Sequence, residues 1–245
     1  MSIIRHLVLN LRTLCPGWLP STVVAVSLLF VLVATVEAGP DDKAPPGGSS
    51  GKKVLFDGKS LEGWKKSDFY KAGEVKVEDG QIIMSKGVSM SGITSTRQDL
   101  PTTNYELGYE AMRLAGRDFF AAATFPVGKS YITLINGGWG GGVTGLSSLD
   151  GMDASENDST RSFRYQDRTW YRFRVRVTDK MIRCLIDDKE ILAIAHRDRR
   201  VATRIETRRN QPLGFATWES TGAVRHIEIR PLSAAEIAET DRFAE

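Results

Sequence analysis

Short segments of alternating apolar and polar residues constrain the fold of this 245-residue chain most strongly. In the segment 171–177, YRFRVRV, the apolar side chains fall on one face, whereas Arg172, Arg174 and Arg176 fall on the other. A period of two residues is that of a β-strand, and a helix would mix the two faces. The segment therefore predicts a half-buried strand whose arginine face is solvated.

Turn signals separate this strand from others of similar length. Asp79-Gly80 lies between the segments 75–78 and 81–84, and both residues tolerate the positive φ of a two-residue hairpin turn. Further predicted strands share the same short, apolar character: 93–95, 105–112, 119–125, 131–136, 181–186, 190–194, 213–218 and 224–230. About ten short strands without helices between them predict an all-β fold, an antiparallel jelly-roll β-sandwich forming a single domain over 54–232.

Helical signals are confined to the C-terminal tail, 233–245. Ser233 and Glu236 have the spacing of a capping box, and the residues between and after them favour helix. We expect a short C-terminal helix after the last strand.

The first 38 residues have the composition of a secretory signal peptide. Two arginines precede an apolar run, 23–36, and small residues lead to Ala38, where a signal peptidase would cut. We expect 1–38 to be a signal peptide or, alternatively, an uncleaved N-terminal anchor, followed by a disordered linker over 39–53. Both alternatives predict a secreted or periplasmic protein, anchored only in the second case.

The net charge limits the classes of partner that we expect, and the cysteine content limits the disulfide bonds that the chain can form. The formal net charge of +3 predicts neither a nucleic-acid partner nor a membrane-surface partner beyond an N-terminal anchor. The basic run 197–209 is interleaved with acids, and we interpret it as a solvated loop, with the binding of an anion as the alternative. Cys184 is the only cysteine after residue 38, so an internal disulfide is excluded and the fold depends on its core.

A glycine-rich stretch, 137–157, is the strongest candidate for a functional loop. Its sequence GGWGGGVTGLSSLDGMDASEN surrounds one indole with five glycines and then supplies several side-chain oxygens. Glycines let a sugar approach the backbone, an indole offers an apolar stacking face, and carboxylates bind hydroxyls or act as acids and bases. The alternative is a long surface connection whose acids are solvated. The candidate residues are the catalytic acids Asp150, Asp153 and Glu156, the hydroxyl-binding amides Asn136 and Asn157, and the stacking rings Trp139 and Trp218.

Other chemistries receive little support from sequence motifs. The carboxylates of this stretch are oxygen ligands of the kind that calcium prefers, so a divalent cation is one alternative, although their spacing is not that of an EF-hand. No metal ligand is assigned. The chain has no GxSxG, HExxH, phosphate-loop or paired CxxC motif, which argues against a serine hydrolase, a zinc protease or a nucleotide-binding protein.

The opening of the predicted domain resembles that of a known family. The segment 54–64, VLFDGKSLEGW, resembles the start of the 3-keto-disaccharide hydrolase family of secreted bacterial proteins, and later segments agree with it in order: 75–80, 170–171, 212–215 and 227–230. The resemblance implies a concanavalin A-like, laminin-G-like jelly roll that acts on 3-keto-glycosides. It also implies the reaction, which is either hydrolysis of the glycosidic bond or elimination to a 3-keto-glucal followed by hydration. Removal of the proton at C2 by a carboxylate base is reasonable on physical grounds, because a ketone at C3 acidifies that proton.

The chain departs from the family pattern at two strands, 119–125 and 130–135. An arginine, a glutamate and a glutamine that typical members carry there are missing, and the family's histidine near the last turn falls at about Trp218. The resemblance therefore carries over the fold but not the catalytic residues. We weigh a glycoside-cleaving enzyme that binds a keto-glycoside or glycan against a non-catalytic, lectin-like carbohydrate-binding module. A third alternative is a partner-binding domain that uses the arginine face of 171–177.

Overall fold

Two antiparallel sheets form the protein, whose computed structural model describes residues 51–243. The predicted signal segment 1–38 and nearly all of the predicted linker 39–53 lie outside the described residues. The strands, in chain order, are β1 (Lys53–Val54), β2 (Trp64–Lys66), β3 (Val75–Glu78), β4 (Gln81–Met84), β5 (Met90–Ser95), β6 (Tyr105–Ala115), β7 (Ala122–Val127), β8 (Ser130–Gly138), β9 (Val143–Ser147), β10 (Arg161–Ser162), β11 (Tyr171–Val177), β12 (Met181–Ile186), β13 (Lys189–Ala195), β14 (Gly214–Trp218) and β15 (Thr221–Pro231).

The first sheet has the strand order β13-β12-β11-β6-β15-β4-β3, with β1 paired to β15. The second sheet has the order β10-β9-β8-β7-β14-β5-β2. One short helix, α1 (Ala234–Thr240), follows the last strand and carries the predicted capping box between Ser233 and Glu236. The prediction of an all-β jelly-roll sandwich with a short C-terminal helix is confirmed. Within residues 51–243, no helix has the length and apolarity needed to span a membrane.

Aromatic rings join the two sheets in the core. Tyr109 of β6 stacks on Phe173 of β11, with ring centroids 4.9 Å apart. The same tyrosine meets the edge of Phe215, in β14 of the second sheet, also at 4.9 Å. All three rings are fully buried, and such contacts contribute beyond the area they bury. The core therefore lies between the sheets, and the outer face of each sheet does not take part in it.

The hairpin and the alternating strand occur where they are predicted. Asp79 and Gly80 have φ angles of 51° and 74° and connect β3 to β4. Strand β11 spans the predicted residues, but its arginine face is only partly solvated. The buried Glu106 carboxylate accepts hydrogen bonds from Arg176 at 2.7 Å and Arg230 at 2.8 Å. These ion pairs occupy much of the face that the third alternative assigned to a partner.

The glycine-rich stretch differs from the expected long loop. Strand β8 continues to Gly138, a tight turn follows, and β9 pairs back on β8, so that the irregular segment is 148–160. Trp139, Gly140 and Gly141 have φ angles of 50°, 82° and 109°, a left-handed conformation that glycine adopts without strain. The glycines therefore form a hairpin turn that holds Trp139 at its tip.

Candidate functional site

A pocket of about 240 Å³ lies on the outer face of the second sheet. Leu134 of β8 and Phe215 of β14 point into the core, so alternation places Ile135 and Trp218 on the opposite, outer face. Met90 of β5 stands directly across from Trp218 and lines the same pocket. We call this cavity the aromatic pocket. Its other lining residues are Asp118, Phe119, Trp139, Arg204, Glu206 and Thr207.

Three aromatic rings define one side of the aromatic pocket. Phe119 and Trp218 have ring centroids 6.2 Å apart, and Trp139 is 44% exposed at the tip of its turn. The carboxylate of Asp118 fixes that turn, because Oδ2 accepts the backbone N–H of Gly140 at 3.0 Å and Oδ1 accepts that of Phe119 at 2.8 Å. Asp118 therefore positions two of the three rings.

Arg204 supplies the positive charge of the aromatic pocket and joins two carboxylates. Its Nη1 donates to Asp153 at 2.6 Å, and its Nε and Nη2 donate to the two oxygens of Glu206 at 3.1 Å each. The Glu206 pair is thus bidentate, the geometry that best fixes an arginine against a carboxylate. The guanidinium of Arg204 therefore lies between the carboxylates of Asp153 and Glu206, and Arg204 and Glu206 line the same pocket as the rings.

A second, more open cavity of about 400 Å³ adjoins the first and shares Arg204 and Glu206 with it. We call it the polar pocket. The remaining residues that line it come from two chain segments: Ser148, Gly151, Asp153, Arg200, Ala202, Thr203 and Ile205.

Backbone hydrogen bonds tie together the two segments of the polar pocket. Ser148 and Ala202 exchange N–H···O bonds of 2.7 and 3.1 Å, and Asp150 donates its N–H to the carbonyl of Arg200 at 2.8 Å. The interpretation of 197–209 as a freely solvated loop is therefore corrected. Its middle pairs with 148–150 and forms a wall of the site.

The predicted acids occupy three different environments. Asp153 lines the polar pocket, whereas Asp150 and Glu156 line neither pocket, and Glu156 is exposed. Asp150 accepts a 2.7 Å hydrogen bond from Arg199, which is the main reason that its pKa is lowered from 3.8. A carboxyl group with a lowered pKa is ionised at neutral pH and is a poor general acid. The structure thus brings only Asp153 to the site.

The two predicted amides are used by the fold itself. Asn136 is fully buried and exchanges hydrogen bonds with the backbone N–H and C=O of Ala121. Asn157 donates to the carbonyls of Leu146 and Asp153, at 2.8 and 2.7 Å, and holds the loop after β9 together. Their assignment as hydroxyl-binding residues is revised, since neither side chain lines the aromatic pocket or the polar pocket. Both predicted rings, Trp139 and Trp218, do line the aromatic pocket.

Four residues that line the aromatic pocket were not among the predicted site residues: Asp118, Phe119, Arg204 and Glu206. Arg204 and Glu206 belong to the basic run 197–209, and the sequence shows their opposite charges but not that they lie near the aromatic rings. The loop acids also do not fit a calcium cage, because Asp150 and Asp153 each face an arginine. Among the side chains of residues 51–243, no three His, Cys, Asp or Glu converge as a metal site would require.

The fold and the aromatic pocket together define a class of protein. A jelly-roll sandwich with stacked rings and carboxylates on one outer face is typical of carbohydrate-active and carbohydrate-binding proteins. The model of one family, described as the 3-keto-alpha-glucoside-1,2-lyase-like domain, matches residues 51–230. The chain belongs to this family, which confirms the resemblance seen at residues 54–64.

Solved structures share the fold at low sequence identity. Domain 4 of an extracellular arabinanase from Geobacillus stearothermophilus, in complex with arabinotriose, is 14% identical with a TM-score of 0.51, over 78% of this chain and 97% of that one. A sialidase is 10% identical with a TM-score of 0.51, over 78% of this chain but only 19% of its own. The carbohydrate-binding module CBM66 from Bacillus subtilis is 10% identical with a TM-score of 0.47, over 69% and 95%. No curated protein matches the chain.

Proposed function

We propose that this protein cleaves 3-keto-glycosides, with the sugar ring in the aromatic pocket and Glu206 as the base. The observation that carries the proposal is that Glu206 and Arg204, a carboxylate and a cation, line both the aromatic and the polar pocket. A bond that crosses from one pocket to the other would pass beside both groups. Membership of the 3-keto-alpha-glucoside-1,2-lyase-like family supports the choice of substrate.

The chemistry follows from the acidity of the sugar. A ketone at C3 acidifies the hydrogen at C2, so a carboxylate can remove it, and the electron pair of the C–H bond becomes an enolate. The guanidinium of Arg204 stabilises the negative oxygen of that enolate. Collapse of the enolate forms the C1=C2 double bond and expels the second unit from C1. The proton held by Glu206 then returns to the departing oxygen.

The rings supply binding rather than chemistry. Trp139 and Trp218 present indole faces on which the apolar side of a pyranose can stack, and Asp118 holds the turn that carries Trp139. Asp153 keeps Arg204 in place from the side opposite Glu206. The proposal thus retains the predicted roles of Trp139 and Trp218, whereas Asp153 changes from a catalytic acid to a residue that positions Arg204.

The experiment that tests this function follows release of free sugar from a 3-keto-disaccharide by the purified protein. Wild type should release it, and Glu206→Gln should lower the rate by about a hundredfold, the usual scale of general-base catalysis. Glu156→Gln is the matched control, because Glu156 is exposed and lines neither pocket. Equal rates for wild type and Glu206→Gln would show that Glu206 is not the base. Absence of sugar release by wild type would contradict the proposed activity.

The second candidate is a lectin-like, non-catalytic carbohydrate-binding module. One observation favours it: both carboxylates beside Arg204 are already engaged in ion pairs with it. A site of this kind binds sugar through Trp139 and Trp218 without turning it over. Calorimetric binding of a disaccharide together with an unchanged 3-keto-disaccharide after long incubation distinguishes this candidate from the enzyme.

Secretion or periplasmic residence, with or without an N-terminal anchor, remains part of the proposal. It is supported by the apolar run 23–36 and the small residues that end at Ala38. N-terminal sequencing of the protein recovered from culture medium or periplasm tests it. A mature chain that begins at Gly39 is expected for a cleaved signal peptide, and an intact N-terminus in a membrane fraction is expected for an anchor.

A further inference from the structure

We propose that the polar pocket binds the second sugar unit of the ligand and that Arg200 selects units that carry an anionic group, a carboxylate or a sulfate. This inference rests on the proposed function, in which the first ring occupies the aromatic pocket. The two cavities share Arg204 and Glu206, so a unit that extends past Glu206 enters the polar pocket. The polar pocket is also the larger of the two, at about 400 Å³.

Arg200 is held at the wall of this pocket by its own backbone. Its N–H donates to Oδ1 of Asp150 at 2.8 Å, and its carbonyl accepts the N–H of Asp150 at 2.8 Å. The guanidinium lies over Gly151, where a Cβ atom would come within 2.2 Å of Nη2. The absence of a side chain at Gly151 therefore makes the space in which this guanidinium sits.

Arg200 differs from Arg199 and Arg204 in having no ion pair among the described residues. Arg199 is paired with Asp150 and Asp158, and Arg204 is paired with Asp153 and Glu206. Among the ion pairs of the described residues, none involves Arg200, although it lines the pocket.

An unpaired guanidinium offers a planar set of donors that matches a carboxylate or a sulfate. Asp153 and Glu206 also line the polar pocket and repel an anion. Asp150 repels it too, since its carboxylate accepts the backbone N–H of Arg200. Arg204 lies between the first two and Arg199 pairs with Asp150, so both arginines offset part of this negative charge. An anionic group is therefore bound at the Arg200 end of the polar pocket, and the uncharged part of the second unit lies beside Glu206.

The test compares three disaccharides of one linkage, in which the non-reducing unit is glucose and the second unit is glucose, glucuronate or glucose 6-sulfate. Calorimetry of the full chain should show both acidic ligands binding about tenfold more tightly than the neutral one, the effect of one charge-assisted contact. Arg200→Gln should abolish this preference. Arg197→Gln is the matched control, since it lies in the same segment but lines neither pocket.

The outcomes separate this inference from the proposed function. Equal binding of neutral and acidic ligands, or a preference that survives in Arg200→Gln, overturns the selection by Arg200. In that case the function still stands if the protein releases free sugar from a 3-keto-disaccharide. Preference for only the carboxylate or only the sulfate identifies which anion the pocket takes and supports the inference. Failure of all three ligands to bind, with no cleavage of a 3-keto-disaccharide, removes the proposed function and the inference with it.

Discussion

Arg204 and Asp153 are 51 positions apart in sequence, yet Nη1 of the arginine lies 2.6 Å from Oδ2 of the aspartate. The same guanidinium holds Glu206 by two further hydrogen bonds. Glu206, the proposed base, and Asp153, the predicted acid that lines the polar pocket, are therefore both paired with the guanidinium of Arg204.

Replacing Arg204 is expected to disable the site. In Arg204→Ala, two carboxylates lose the cation between them, and the enolate loses its stabilising donor. We expect turnover of a 3-keto-disaccharide to fall by about 10²- to 10³-fold, the range for removal of one oxyanion-stabilising donor. Arg209→Ala is the control, because its partner Asp68 lies at the surface away from both pockets. Unchanged turnover in Arg204→Ala would show that the enolate is held elsewhere.

The indole rings are expected to determine affinity for sugar. Trp139→Ala and Trp218→Ala should each weaken disaccharide binding by about three- to tenfold, since a ring contact contributes about 0.5–1.5 kcal/mol. Tyr70→Ala removes a ring that is 76% exposed but lies outside the aromatic pocket, and it should leave affinity unchanged. Calorimetric titration measures the three variants, and comparable losses in all of them would rule out the aromatic pocket as the binding site.

The ion pairs of Glu106, the buried carboxylate of the first sheet, are expected to contribute strongly to the free energy of unfolding. Glu106 is 8% exposed and faces Arg176 and Arg230, so Glu106→Gln removes the most buried carboxylate partner of both arginines, which then keep only the more exposed Glu239 and Glu236. We expect a loss of about 2–3 kcal/mol in the free energy of unfolding, less than the cost of a buried charge with no partner at all. Glu78→Gln breaks an exposed pair with Lys76 and should cost less than about 1 kcal/mol. Urea titrations give both values, and similar small losses would contradict the role of Glu106.

The C-terminal helix is expected to make stability sensitive to acid. The hydrogen bond from Arg230 is the main cause that lowers the pKa of Glu236 to about 2 from 4.5. A lowered folded-state pKa adds stability that is present above about pH 4.5 and is lost as the pH falls towards 2. Because Glu236 is partly exposed, we expect this contribution to be about 1–2 kcal/mol.

Glu236→Gln isolates this ion pair, since glutamine also completes a capping box. The variant should be less stable than wild type at neutral pH, and the difference should vanish in acid. Glu239→Gln is the control on the same helix, because the side chain of Glu239 is 61% exposed. Melting curves at several pH values provide the comparison, and a difference that does not change with pH would contradict the assignment.

The thiol of Cys184 is expected to be inert while the protein is folded. It is fully buried in β12, and burial raises its pKa, so little reactive thiolate forms at neutral pH. Treatment with iodoacetamide should leave Cys184 unmodified in the native protein and modify it in denaturant. Mass spectrometry of the tryptic peptide that contains Cys184 provides the measurement, and rapid native labelling would show that β12 opens to solvent.

The fold could be predicted from the sequence because its signals are local. Asp79-Gly80 can be recognised as a turn from two residues, and the alternation over 171–177 marks a strand without reference to its neighbours. The strand Val143–Ser147 was missed because the glycines before it indicate a loop, and only its pairing with β8 reveals it. The linker was predicted to reach residue 53, whereas Lys53 pairs with Ile229 in β15.

The site was predicted less completely because it depends on long-range contacts. Trp139 and Trp218 could be identified from their chemistry, and both line the aromatic pocket. Arg204 and Glu206 could not, since the feature that gives them a role is their proximity to rings more than ten positions away in sequence. The amide of Asn136 had the right chemistry for a sugar, but the backbone of Ala121 uses it.

The central claim is that Glu206 removes the C2 hydrogen of a 3-keto-glycoside held in the aromatic pocket. Proton NMR of a 3-keto-disaccharide incubated with the protein in deuterated buffer tests it most directly. We predict loss of the C2 proton signal together with release of free sugar in wild type, and both changes about a hundredfold slower in Glu206→Gln. A C2 proton signal that persists while the sugar resonances broaden on binding would contradict the claim and identify a carbohydrate-binding module.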